Sequence, residues 1–259
     1  MKPLFEQHQL PISEFQRLGL VAENHIQLDA VDLNALLLGR RTGLITVRNL
    51  EANGLKLEKI DLKLSLERNQ DGKLSLALHP IFRSPQQHPL LQGYDADPLM
   101  DGTVSNIHKV YGKNGQQDFE AVIEYDPQTR TFIAYDPSQV VAPIAINGIT
   151  LTEPQDYQFR RGKLVDLGDG TKFQHRASVP LGIVANRSEL ILTFQEPGPF
   201  QHVYMHGIQN IPLTRQPQLF PDTPAFRRAM EENDPPRYSA FSSGEISSVQ
   251  NQQFPPRQR

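Results

Sequence analysis

Apolar and polar residues alternate most cleanly between positions 60 and 78. Ile60, Leu62, Leu64 and Leu66 share one phase, while Asp61, Lys63, Ser65 and Glu67 occupy the other. After Asn69, Gln70, Asp71 and Gly72, the apolar phase resumes at Leu74, Leu76 and Leu78. A period of two on both sides of an Asp-Gly turn predicts an antiparallel pair with one buried and one solvated face. The pattern recurs at Phe119 to Tyr135, where Asp126-Pro127-Gln128-Thr129 supplies the turn, and at Phe173 to Phe194.

Helix signals precede these segments. Ile12, Phe15 and Leu18 fall three apart and Gly19 stands where a C-terminal cap belongs. Asp29 is an N-cap candidate for a helix over 30–38 that ends at Gly39. Thr152, with Glu153 and Pro154 behind it and Gln155 at the third position, announces a helix that ends at Gly162. Gly39-Arg40-Arg41-Thr42, Asp101-Gly102-Thr103-Val104 and Arg161-Gly162-Lys163-Leu164 then each lead into a short apolar strand: Leu44 to Val47, Val104 to Ile107 and Lys163 to Leu167.

The expected fold is therefore α+β, with three related units of short helix plus antiparallel β-hairpin and a Pro-rich C-terminal tail. Expected boundaries are 1–84 for an N-terminal helical segment and the first unit, 85–145 for the second, 146–195 for the third and 196–259 for the tail. Ten of the 21 prolines lie beyond Glu196. Such composition predicts a largely disordered or docking tail, with one short helix at Thr223 to Glu232 and with Phe220, Phe226, Tyr238 and Phe241 as docking anchors.

Composition narrows the chemistry. The chain of 259 residues carries a formal charge of -3 and no cysteine. Disulfides, thiolate metal sites and cysteine nucleophiles are excluded, and nothing marks a general nucleic-acid binder. The N-terminus lacks a signal-peptide pattern and no apolar run reaches the ~18 residues of a membrane span, so a cytoplasmic protein is expected. Arg40, Arg41, Arg160, Arg161 and Lys163 are candidate nucleic-acid contacts, with helix C-terminal capping as the competing role. His202 and His206 have zinc spacing, but their surroundings do not read as a helix and no Glu follows His202. Asp61, Glu67, Glu120, Glu124 and Asp126 occupy the polar phase of hairpins and are expected on solvated faces. No nucleophile elbow or phosphate loop is present. No catalytic, cofactor or metal residues are expected, and no small-molecule substrate.

The blocks Pro11 to Gly19, Leu33 to Thr42 and Leu64 to Lys73 resemble a family of uncharacterised domains found on conjugative and other mobile elements of bacteroidete bacteria. Ile146 to Thr152, Arg161 to Lys163 and Asp169 to Phe173 resemble its partner domain, which is repeated in tandem and sometimes fused to type IA topoisomerases. The resemblance implies a mobile-element setting and no reaction. The expected function is a non-enzymatic adaptor binding a protein partner, the alternative a nucleic-acid-binding accessory to DNA transfer or topoisomerase function.

Overall fold

This computed structural model describes residues 3–23, 25–52, 55–69, 71–111, 119–195, 200–211 and 223–233. Among them are five α-helices: α1 (Ile12–Arg17), α2 (Ala30–Leu37), α3 (Asp97–Met100), α4 (Glu153–Arg160) and α5 (Pro224–Asn233). The strands are β1 (Val21–Ala22), β2 (His25–Ile26), β3 (Ile45–Ala52), β4 (Leu55–Arg68), β5 (Leu74–Pro80), β6 (Ile107–Tyr111), β7 (Phe119–Asp126), β8 (Thr131–Tyr135), β9 (Ala145–Ile146), β10 (Ile149–Thr150), β11 (Val165–Asp166), β12 (Lys172–His175), β13 (Ile183–Ala185), β14 (Glu189–Phe194) and β15 (Gln201–His206). No helix among these residues is long and apolar enough to cross a membrane.

The helix termini follow local chemistry. Asp29 accepts from the Asp32 backbone N–H at 2.7 Å and starts α2. Thr152 and Gln155 close a capping box on α4, and Thr223 accepts from Phe226 N at 3.0 Å to start α5. Gly19, Gly39 and Gly162 leave their helices with positive φ, which a residue without Cβ adopts at little cost.

β3, β4 and β5 form one antiparallel meander in which Leu64 faces Leu78 and Leu66 faces Leu76. Its apolar phase packs with Phe15 of α1 and Leu36 of α2. Full burial of each such side chain contributes about 1.5–3 kcal/mol. A second meander, β6-β7-β8, packs Ile123, Tyr125 and Phe132 against Leu99 of α3. A third, β11-β12-β13, sets Val165 and Phe173 against Phe159 of α4.

The expectation of three helix-plus-hairpin units does not survive. The described residues form five sheets of two to four strands, and the predicted hairpin from Phe173 to Phe194 is split between two of them. β12 pairs with β13, whereas β14 is an inner strand of the four-stranded sheet β10-β9-β14-β15. The physical cause lies in β14 itself: Leu190, Ile191, Leu192, Thr193 and Phe194 are all buried, so both faces need cover. Leu190, Leu192 and Phe194 join the cluster beneath α4, while Ile191 meets Phe226 and Ala229 of α5. Asn186 lies between β13 and β14. Its side chain accepts from Lys172 N and donates to Gly170 O, which ties it to the preceding turn.

Part of the segment expected as a tail thus belongs to this sheet, through β15 and α5. The predicted strand at Val104 to Ile107 begins only at Ile107, and the one at Lys163 to Leu167 shortens to Val165–Asp166. Gly112 to Gly115, which the two glycines mark as a turn in the sequence, lie outside the described residues.

Candidate functional site

The polar phases of β4 and β7 are where the molecule departs most from expectation. Lys63 is 1% exposed, Glu124 0% and Asp126 1%. At these three positions the polar phase does not meet water; it is buried between the sheets. Asp126 lies at the centre. Lys63 Nζ is 2.9 Å from its Oδ2, and Arg41 Nη1 is 3.2 Å from the same oxygen. Lys63 Nζ also donates to Ser178 O at 2.8 Å. Arg41 donates to Thr131 Oγ1 at 2.7 Å, to Thr129 Oγ1 at 3.2 Å and to Phe132 O at 2.9 Å.

Beside this cluster, Glu124 Oε1 accepts from Ser178 N at 2.6 Å and Oε2 lies 3.4 Å from Arg176 Nε. Arg176 donates onward to Ser105 O and Tyr125 O. Burial pushes the pKa values of Arg41 and Lys63 down, opposed in each case by the charge of Asp126. Asp32, whose Oδ1 accepts from Gly43 N at 2.7 Å, is raised by burial.

The arrangement holds three separate stretches of chain in one register: the end of α2 with β4, the β7–β8 hairpin, and the residues after β12. Arg41 N bonded to Ala177 O at 3.0 Å adds a backbone tie. The buried ionic groups are occupied chiefly by one another and by backbone, so the cluster works as a joint between sheets. Glu67 stays exposed; Asp61 and Glu120 are partly buried, and Glu120 pairs with Arg161.

The candidate nucleic-acid contacts are placed as follows. Arg40 donates to Leu181 O at 2.7 Å, and Arg41 is the 2% exposed member of the cluster just described. Arg160 pairs with Asp156 at 2.8 Å across one helical turn and also donates to Val140 O. Arg161 pairs with Glu120 and lies 3.6 Å over the Tyr157 ring. Lys163 is exposed. Of the tail anchors, Phe226 is buried against Ile191; Phe220, Tyr238 and Phe241 lie outside the described residues. His202 and His206 sit on β15, where His202 Nδ1 is 3.0 Å from Thr193 Oγ1 and His206 stacks on Tyr204. No group of three or more His, Asp or Glu among the described residues is placed to hold a metal ion.

A cavity of about 300 Å³ opens next to the ionic joint, where the first and second meanders meet the four-stranded sheet. Leu38, Leu66, Val141, Phe159, Leu192 and Met205 contribute its apolar wall. Arg40, Tyr135, Asp136, Gln139 and His175 are its polar lining. His175 is held neutral, its pKa pushed down to about 3 by burial and by the nearby positive charges of Arg40 and Arg176. Tyr135 lies edge-on to the His175 ring at 5.2 Å, and its buried hydroxyl has no hydrogen-bond partner.

Gly162 allows this packing. With φ at +62°, a Cβ there would lie 2.6 Å from the Tyr135 hydroxyl and 2.9 Å from Asn106 Nδ2. Gly162→Ala should therefore cost about 1–3 kcal/mol, combining left-handed strain with displacement of Tyr135. A lowered urea midpoint at unchanged slope checks it.

Composition alone did not point to Arg40, Tyr135 and His175 as neighbours, since more than ninety positions separate the first two. The complementary signs of Lys63 on β4 and of Glu124 and Asp126 on β7 were the available signal for the joint.

Residues 5–90 match the model of a family described as a protein of unknown function (DUF4099), less than half of the chain. No curated protein matches the chain, and neither does any solved structure.

Proposed function

We propose that the protein is a non-enzymatic interaction module that binds a protein partner by strand addition at the outer end of β6, in the mobile-element setting that its sequence resemblance implies. The observation behind this is the edge position of β6 in the sheet β6-β7-β8, together with Val110 at 57% and Phe119 at 50% exposure. An edge strand offers unpaired backbone donors and acceptors, and neighbouring apolar side chains give an added strand something to bury. The interior arginines and carboxylates are engaged with one another, which supports a binding role over a chemical one. They also give the nucleic-acid alternative less support, because phosphate contacts need accessible cations.

A photo-crosslinking residue placed at Val110 should yield one discrete protein adduct in cells, lost when Phe119→Lys is added. The same residue at the exposed Thr150 should not yield it. Equal labelling from both positions, or salt-sensitive retention on DNA as the sole interaction, would reject this reading.

A further inference from the structure

The cavity beside the joint contains a charge that the fold leaves incomplete. Arg41 and Arg176 each hold a carboxylate, at 3.2 Å and 3.4 Å. Arg40 holds none among the described residues. Among the described residues its one acceptor is Leu181 O and its buried Nε has no partner, and its guanidinium lies against Gly182 so closely that a Cβ there would be 1.8 Å from Nη1. Gly182 thus makes room for the guanidinium at the cavity wall.

A guanidinium carries five donors, and a half-buried cation with a single neutral protein acceptor and an unpartnered buried Nε gains from an anion that completes it. Burial pushes the Arg40 pKa down to about 10, so the group is still positive at neutral pH. Asp136, the acidic group of the lining, is already engaged: it accepts from Ser138 N at 2.8 Å and Gln139 Nε2 at 3.3 Å.

We propose that the cavity binds a small monocarboxylate with an apolar body, its carboxylate received by Arg40 and its body by the wall around Leu66, Val141 and Met205. One cation suits one negative charge, not a polyphosphate. The volume of about 300 Å³ is at the small end of ligand pockets, which limits the body to a short chain or a single ring. Neutral His175 and the partnerless Tyr135 hydroxyl add polar groups beside the head without adding charge. This site is separate from the β6 edge and does not depend on it.

Hexanoate and hexanol, titrated into the full-length protein by calorimetry, separate the contributions. Hexanoate should bind saturably and about ten- to a hundredfold tighter than the alcohol, the range of a charge-assisted hydrogen bond. Arg40→Gln should bring the acid down to the affinity of the alcohol. Val141→Phe, which fills the cavity and leaves Arg40 in place, should remove both. Equal affinities in the wild-type protein, no saturable binding, or a preference for the acid that persists in Arg40→Gln would overturn the proposal. If Arg40→Gln does not fold, the wild-type comparison and Val141→Phe decide it.

Discussion

Asp126→Ala is expected to lose about 3–5 kcal/mol of stability, the cost of breaking a buried ion pair from one side. Its carboxylate is shared by Arg41 and Lys63, both nearly inaccessible to water, so its removal strands two cations in the interior. For a chain of this size, each kcal/mol lowers Tm by roughly 2–4 °C, which predicts a fall of about 6–20 °C. The neighbouring substitution should behave differently. The joint contains three cations, Arg41, Lys63 and Arg176, against two carboxylates, Glu124 and Asp126. Lys63→Met takes away the one surplus positive charge, leaves Asp126 paired with Arg41, and substitutes apolar bulk. It should therefore cost clearly less than Asp126→Ala. Urea unfolding of the two variants measures the order, and equal losses would mean that the cluster is not held together by charge compensation.

This asymmetry shows what the sequence could and could not convey. Strict alternation from Ile60 to Leu78 correctly identifies which side chains share a face, and the observed register of Leu64 with Leu78 follows from it. Alternation does not identify what covers each face. Lys63 and Asp126 read as water-facing because they are polar, yet they face each other across two sheets from positions 63 residues apart. Pairing at that separation leaves no local periodicity. Helix termini are more legible because caps are local: Asp29, Thr152 and Thr223 each bond within three residues.

β14 is an intermediate case. Leu190, Ile191 and Leu192 form a continuous apolar run, the signature of a strand covered on both sides. Taking only every second residue as inward produced the hairpin that the structure divides. The cavity was beyond sequence reasoning altogether, since its lining comes from the N-terminal segment, the end of β8, the loop before β9 and the strands of three other sheets.

Below pH 6.5 the protein should lose stability, and His175 and His79 are the cause. Burial holds His175 and His79 at pKa values of about 3 in the folded state, against an ordinary value of 6.5. His175 faces Arg40 and Arg176, and His79 faces Arg41 and Lys63 with Asp126 opposing, so protonation of either ring adds positive charge to an already cationic interior. Between pH 3 and 6.5 the unfolded chain binds protons that the folded protein refuses; stability is therefore complete above 6.5 and declines as pH falls. Each fully neutral histidine contributes a slope of about 1.4 kcal/mol per pH unit, with less expected from the partly exposed His79. Asp32 works in the opposite direction, since a carboxyl raised by burial favours the folded state as it protonates; it can soften the decline only toward the acidic end. Unfolding free energies from urea titrations at pH 7, 6 and 5 should thus decrease, and His175→Gln should flatten the dependence even if it lowers the value at pH 7. A flat profile in the wild-type protein, or an unchanged slope in the variant, would show that neither ring is kept neutral by its surroundings.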